Sequence, residues 1–288
     1  MNKQAGNNRF DALRMAEESV EETAGTLTRI ACTPIIIPSN YRKGPKVFTL
    51  GVVVSMWCMA STSHVEPLKV CLVSGSFEYD SDKSLESFKK AAEARYSMQC
   101  TLLKATGWDN IPGIEALDSC DVALFFTRRL KISGEHLDKV KKYCMQGTPI
   151  VGVRTASHGF QNWLEMDKEV LGGNYKGHYD EGPVMEVKIT DKGKQHTVLK
   201  GIAPFRSRYS LYKNPDIPPD TDVLLTGSIP EHTEPVAWTR MSHGGRVFYI
   251  SLGGIEDFQN ETFQTLIVNA LFWAAGREVV QEAQTEKN

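Results

Sequence analysis

The stretch PIVGVRTASH, residues 149–158, decides the architecture. An apolar run of five residues, PIVGV, has the length and β-branched content of a buried strand, and the polar RTASH after it has the character of a tight turn into a helix. A strand that ends in such a turn projects its first turn residue, Arg154, into a cleft beside the positive end of the following helix. A permanently protonated guanidinium in that place predicts a negative partner: Glu256, Asp257 or Glu181, or an anionic group on a ligand.

On either side of this stretch, strands and helices alternate. VCLVSG (70–75) reads as a buried strand, 100–104 as a second, and DVALFFT (121–127) as a third, continuous in apolar character as a strand covered on both faces must be. Between them, residues 84–96 carry Leu85, Phe88, Ala91, Ala92 and Tyr96 at helical spacing, and residues 133–147 carry Leu137, Val140 and Cys144 ahead of a stop at Gly147. That alternation predicts an α/β fold with a mostly parallel central sheet. Beyond Gly182 the segments VMEVKIT, DVLLTGS, PVAWTR and RVFYISLG predict an antiparallel extension and a return to the sheet, and residues 260–275 predict a closing helix. Ligands of such sheets bind beyond the carboxyl ends of the strands, so the loops after Val73, Phe126, Val153 and Leu252 are expected to converge.

The 288 residues are 41% hydrophobic with a net charge of −2, enough for a substantial core and without the clustered basic surface of a nucleic-acid binder. The first 66 residues differ in character. An acidic tail containing Glu17, Glu18, Glu21 and Glu22 leads to the cations Arg42, Lys43 and Lys46, then to an uncharged run at 47–63 with small residues near Ala60. This is the layout of an export signal, displaced from Met1. It predicts export after a later translation start, or membrane anchoring; a buried core segment is the alternative. Residues 279–288 are polar. The six cysteines include no C-x-x-C pair, and Cys71, Cys100, Cys120 and Cys144 fall at strand or helix positions, which predicts free thiols.

The elbow resembles the class I glutamine amidotransferase pattern P-[IV]-x-G-[IV]-C-x-G-H, with Arg154 where the nucleophilic cysteine stands, so the fold is implied and the amidotransfer chemistry is not. Residues 68–278 resemble the ThuA-like (trehalose utilisation) family. The resemblance is carried by GVRTASHGF, Trp163, LGGNYKGH (171–178), HTVLKGI (196–202), EPVAWT (234–239), RVFYISLG (246–253) and FQTLIVNALFWAAG (263–276). It implies a flavodoxin-like, three-layer sandwich and a carbohydrate-related function, binding or transforming a sugar or sugar derivative. The chain departs from that family at three positions: Arg154 and Gly254 stand where histidines are usual, and Ser210 where an acid is common.

Several side chains are therefore candidates for the cleft. His178 with Glu256 or Asp257 is the candidate acid/base pair; Arg154, His158, Trp163, Asn174 and Tyr175 are candidate ligand contacts. Ser157 and His158, adjacent on a helical turn, are expected to point apart. No cofactor is required by the sequence, although His158, His178 and an acid have the chemistry to share a divalent metal. The expected partner is a small carbohydrate. A non-catalytic module in which Arg154 holds an anionic group is the alternative.

Overall fold

The computed structural model describes residues 66–281; the signal-like run at 47–63 lies outside them. Among the described residues, nine strands form one sheet in the order β2-β1-β3-β4-β9-β8-β7-β5-β6. Its first half is parallel: β1 (Leu68–Gly75) between β2 (Met98–Lys104) and β3 (Val122–Thr127), then β4 (Ile150–Val153) and β9 (Gly245–Ile250). The antiparallel half follows as β8 (His232–Ser242), β7 (Asp222–Ile229), β5 (Met185–Ile189) and β6 (Phe205–Ser207). RVFYI thus returns to the sheet as expected, where it pairs with β4, and the extension is antiparallel as expected.

The period of two along each strand divides the core in two. Val70 and Leu72 of β1, with Leu124 and Phe126 of β3, face α1 (Ser81–Glu93) and α5 (Glu261–Ala274), meeting Leu85, Phe88, Leu266 and Ile267. The alternate residues Cys71, Val73, Ala123 and Phe125 face α2 (Gly134–Met145) through Leu137, Val140 and Tyr143. Burial on both faces is why β1 and β3 show no polar alternation in sequence. Two short helices complete the set, α3 (Asp191–Gln195) and α4 (Ile255–Gln259). Cys71, Cys100, Cys120 and Cys144 are free thiols.

The elbow differs from its expected form in one respect. After β4 the chain makes a five-residue 3-10 turn, Arg154–His158, and no α-helix follows it directly. Arg154 adopts φ +48, a left-handed conformation that costs a non-glycine residue about 1 kcal/mol or more.

Among the described residues no helix is long and apolar enough to cross a membrane.

Candidate functional site

The strand ends converge as the topology requires. Thr155 Oγ1 donates to Ser76 Oγ at 2.9 Å, joining the ends of β4 and β1. The Arg128 amide donates to Gly75 O at 3.0 Å, and the Arg129 amide to His158 O at 2.8 Å, tying the end of β3 to both. Arg154 Nη1 donates to Ser251 O, just past β9, at 2.9 Å.

Arg154 itself is fully buried. The carboxylate partner expected for it is absent from ion-pair contact among the described residues; oxygens without formal charge and aromatic faces take its place. Nη2 donates to Ser210 Oγ at 3.2 Å and to Tyr79 Oη at 3.3 Å. The rings of Tyr79, Tyr212 and Tyr209 surround the guanidinium with centroids 4.6, 4.7 and 5.0 Å from its carbon. Desolvated cation–π contacts contribute about 2 kcal/mol each, so a triple cage offsets much of the cost of burying the charge. Asp257 contributes only from a distance. Its carboxylate accepts from Gly253 N (2.9 Å), Gly254 N (3.1 Å) and Ser207 Oγ (3.2 Å), which caps the start of α4.

The three positions 154, 210 and 254 meet at this cage. Ser210 binds the guanidinium, and the ring of Tyr209 lies where a side chain on residue 254 would stand: a Cβ on Gly254 would come within 1.7 Å of Tyr209 Cζ. Arginine at 154, serine at 210 and glycine at 254 are thus one packing solution. A histidine at 254 would displace the Tyr209 ring.

Beside the cage lies an open pocket of about 320 Å³ bordered by Arg129, Ser157, His158, Asp167, Asn174 and Tyr175, with Lys168 and Lys176 at its edge. An aromatic column links the two. Tyr212, against Arg154 on one side, lies 4.6 Å from Tyr175, and Tyr175 stacks on His158 at 4.4 Å with 17° between planes. His158 and Tyr175 were both expected here, as was Asn174, whose amide donates to Pro215 O at 2.9 Å.

Ser157 and His158 do not point apart. In the 3-10 turn the Ser157 hydroxyl and His158 Nδ1 lie 3.0 Å apart, a hydrogen bond that α-helical geometry would not allow between neighbours. Burial, with Arg129, Arg128 and Arg154 nearby, pushes the imidazole down to about 3. It is therefore neutral near pH 7, a hydrogen-bonding group with little basicity.

The other expected residues fall elsewhere. Trp163 is buried in the core on the α2 side, under Lys141 Nζ at 5.6 Å, and does not border the pocket. His178 is exposed, its Nδ1 2.8 Å from Tyr179 O, and Glu256 is exposed on α4; no hydrogen bond joins His178 to Glu256 or Asp257. Among the described residues no three His, Cys, Asp or Glu side chains gather as a metal site, so His158, His178 and an acid do not form one.

Asp167 is among the pocket residues that sequence reasoning missed, as are Arg129, Lys168 and Lys176. Asp167 opens a π-helical turn, Asp167–Leu171, with Oδ2 accepting from Tyr175 N at 2.8 Å and Oδ1 buried without a partner. Its neighbour Gly173 packs so closely that a Cβ there would lie 2.1 Å from Oδ1. The sequence signal was faint: Met166 and Val170 at helical spacing mark a buried stripe beside it.

Burial pushes the Asp167 carboxyl up to about 7, against the Tyr175 amide and Lys176, which pull it down. The native state therefore holds a proton that the unfolded chain loses near pH 4, and the stability tied to that proton declines as pH rises from about 4 to 7. Asp167→Asn, with no proton to lose, is expected to raise the melting temperature relative to the parent at pH 8 and much less at pH 5. The ceiling is about 4 kcal/mol. Thermal melts at the two pH values check it; an equal difference at both would show that Asp167 titrates normally.

The fold and pocket define an α/β protein with its candidate site beyond the parallel strand ends. The sequence model of the ThuA family, described as trehalose utilisation, matches residues 69–274, and the chain belongs to that family. Among solved structures it is similar to a ThuA-like protein from Parabacteroides merdae (TM-score 0.58, 20% identity, covering 76% of this chain and 94% of that one). A ThuA-like protein from Bacteroides uniformis is similar at TM-score 0.56 and 19% identity, covering 75% and 94%. A β-galactosidase from Bacillus circulans shares the fold over 73% of this chain and 31% of its own, at TM-score 0.52 and 12% identity. None of the curated proteins compared with the chain matches it.

Proposed function

We propose that this ThuA-family protein binds a sugar or sugar derivative in the pocket beyond β3 and β4. The observation that carries the reading is the Tyr175 ring, stacked on His158 and half-exposed beside hydrogen-bonding groups of both kinds: the Ser157 hydroxyl, the His158 imidazole and the Asn174 amide. A pyranose presents a face of C–H bonds and a rim of hydroxyls, which calls for that combination. A volume of about 320 Å³ is near the lower end of the roughly 300–1,000 Å³ typical of small-molecule sites, suited to one sugar unit. The parallel strand order 2-1-3-4 followed by β9 supports the flavodoxin-type reading of the fold, in which ligands occupy this end of the sheet.

Within this reading, the Asp167 carboxyl, bonded to the Tyr175 amide, holds the loop that presents the Tyr175 ring, and no hydrogen bond assembles His178 with Glu256 or Asp257 as an acid/base pair. His158 serves as a neutral donor or acceptor for a hydroxyl. Calorimetric titration with a panel of monosaccharides and their acids tests the binding. Tyr175→Ala is expected to weaken the best ligand about tenfold or more, through loss of the stacked face. Affinity unchanged in that variant would place the ligand elsewhere. The signal-like run at 47–63 fits an exported or anchored form, and amino-terminal sequencing of the mature protein reads which.

A further inference from the structure

We infer that the ligand of this pocket carries an anionic substituent, a carboxylate or a phosphate on the sugar, and that Arg129 is the group that holds it. The inference rests on the sugar-pocket reading and adds the charge of the ligand. It starts from an imbalance. Three cations, Arg129, Lys168 and Lys176, border the pocket with two acids, Glu165 and Asp167. None of the three is in an ion pair among the described residues, whereas Arg128, the immediate neighbour of Arg129, is paired with Glu78 at 2.7 Å. One of the acids is turned aside: Asp167 gives Oδ2 to the Tyr175 amide and buries Oδ1.

Arg129 is also the cation held most firmly. Its amide bonds His158 O at 2.8 Å, fixing its backbone beside the stacked imidazole, and Nη1 rests on the neutral Gln161 Oε1 at 3.0 Å. Its φ is +47, a left-handed conformation at the end of β3 where glycine would be free of strain. Strain of about 1 kcal/mol or more in a non-glycine residue concentrates at ligand clamps, and here it aims a guanidinium at the pocket mouth. The planar fork matches two oxygens of a carboxylate or phosphate, and the two lysines add positive potential at the concave surface. Arg154 cannot play this part, because it is fully buried inside its tyrosine cage.

The test compares glucose, glucuronate and glucose 6-phosphate by calorimetry on the full chain and on Arg129→Gln, with thermal melts confirming that the variant is folded. The expected result is at least about a tenfold preference for one or both anions over glucose, decreasing with added salt, and a fall of about tenfold in that preference in Arg129→Gln. Glucuronate ahead of the phosphate would identify a sugar acid; the reverse order would identify a sugar phosphate. Glucose binding as tightly as both anions, or a preference that survives Arg129→Gln, overturns the inference and leaves the sugar pocket standing. Binding of none of the three overturns both.

Discussion

Replacing Arg154 with alanine is expected to destabilise the protein by about 3–5 kcal/mol, measured as a shift in the urea midpoint at constant slope. Three costs add. The side chain is fully buried, so truncation leaves a cavity among Tyr79, Tyr209 and Tyr212. Ser251 O loses the guanidinium donor, and Tyr79 Oη and Ser210 Oγ lose a partner. The β-carbon keeps the left-handed backbone at φ +48 without the contacts that sustained it. Arg154→Met, which fills most of the space and removes the cost of burying a charge, is expected to lose less, as uncharged replacements of buried ions commonly do. Because Tyr212 separates Arg154 from Tyr175, the alanine variant is also expected to loosen the stacked wall of the pocket and weaken ligand binding. A loss below about 1 kcal/mol for Arg154→Ala would mean that the cage is incidental.

Gly159→Ala is expected to cost about 1–3 kcal/mol and to disturb the pocket at the same time. A Cβ on Gly159 would lie 2.3 Å from Thr127 Oγ1 and 3.2 Å from Ala156 O, so the turn that carries His158 would have to retreat from the end of β3. That retreat pulls on the bonds from Arg129 N to His158 O and from Leu130 N to Gly159 O. Thr127 Oγ1 has no hydrogen-bond partner, so removing it sacrifices little. Thr127→Ala combined with Gly159→Ala should therefore recover most of the loss, and a double-mutant cycle with a coupling of about 1 kcal/mol or more is the diagnostic result. Additive effects would show that the close approach to Thr127 is not what requires glycine.

The inner parallel strands β1, β3 and β4 are legible because burial on both faces leaves unbroken apolar runs, and the loops after β1, β3, β4 and β9 converge where strand direction places them. His158, Asn174 and Tyr175 were legible as pocket residues through their place after β4 and in the glycine-rich loop. Trp163 packs in the core on the α2 side; distance along the chain from the elbow does not say which face of the sheet a side chain meets. Asp167 escaped because the π-helical turn that presents it has no periodicity of its own. For Arg154 the sequence indicates a cation that needs compensation, whereas the form of that compensation, aromatic rings and uncharged oxygens, is not legible in it. Tyr79, Tyr209 and Tyr212 are 55 residues or more from it in sequence, and no local pattern links them.

By itself the sequence determined the layered α/β plan, the family, and the end of the sheet where a ligand would sit, because periodicity and turn chemistry act over a few residues at a time. Tertiary structure alone decided that Arg154 would be caged by aromatic rings, that Ser157 would meet His158, and that burial would push the Asp167 carboxyl upward. Those outcomes depend on desolvation and on contacts between distant segments, which exist only once the chain has packed.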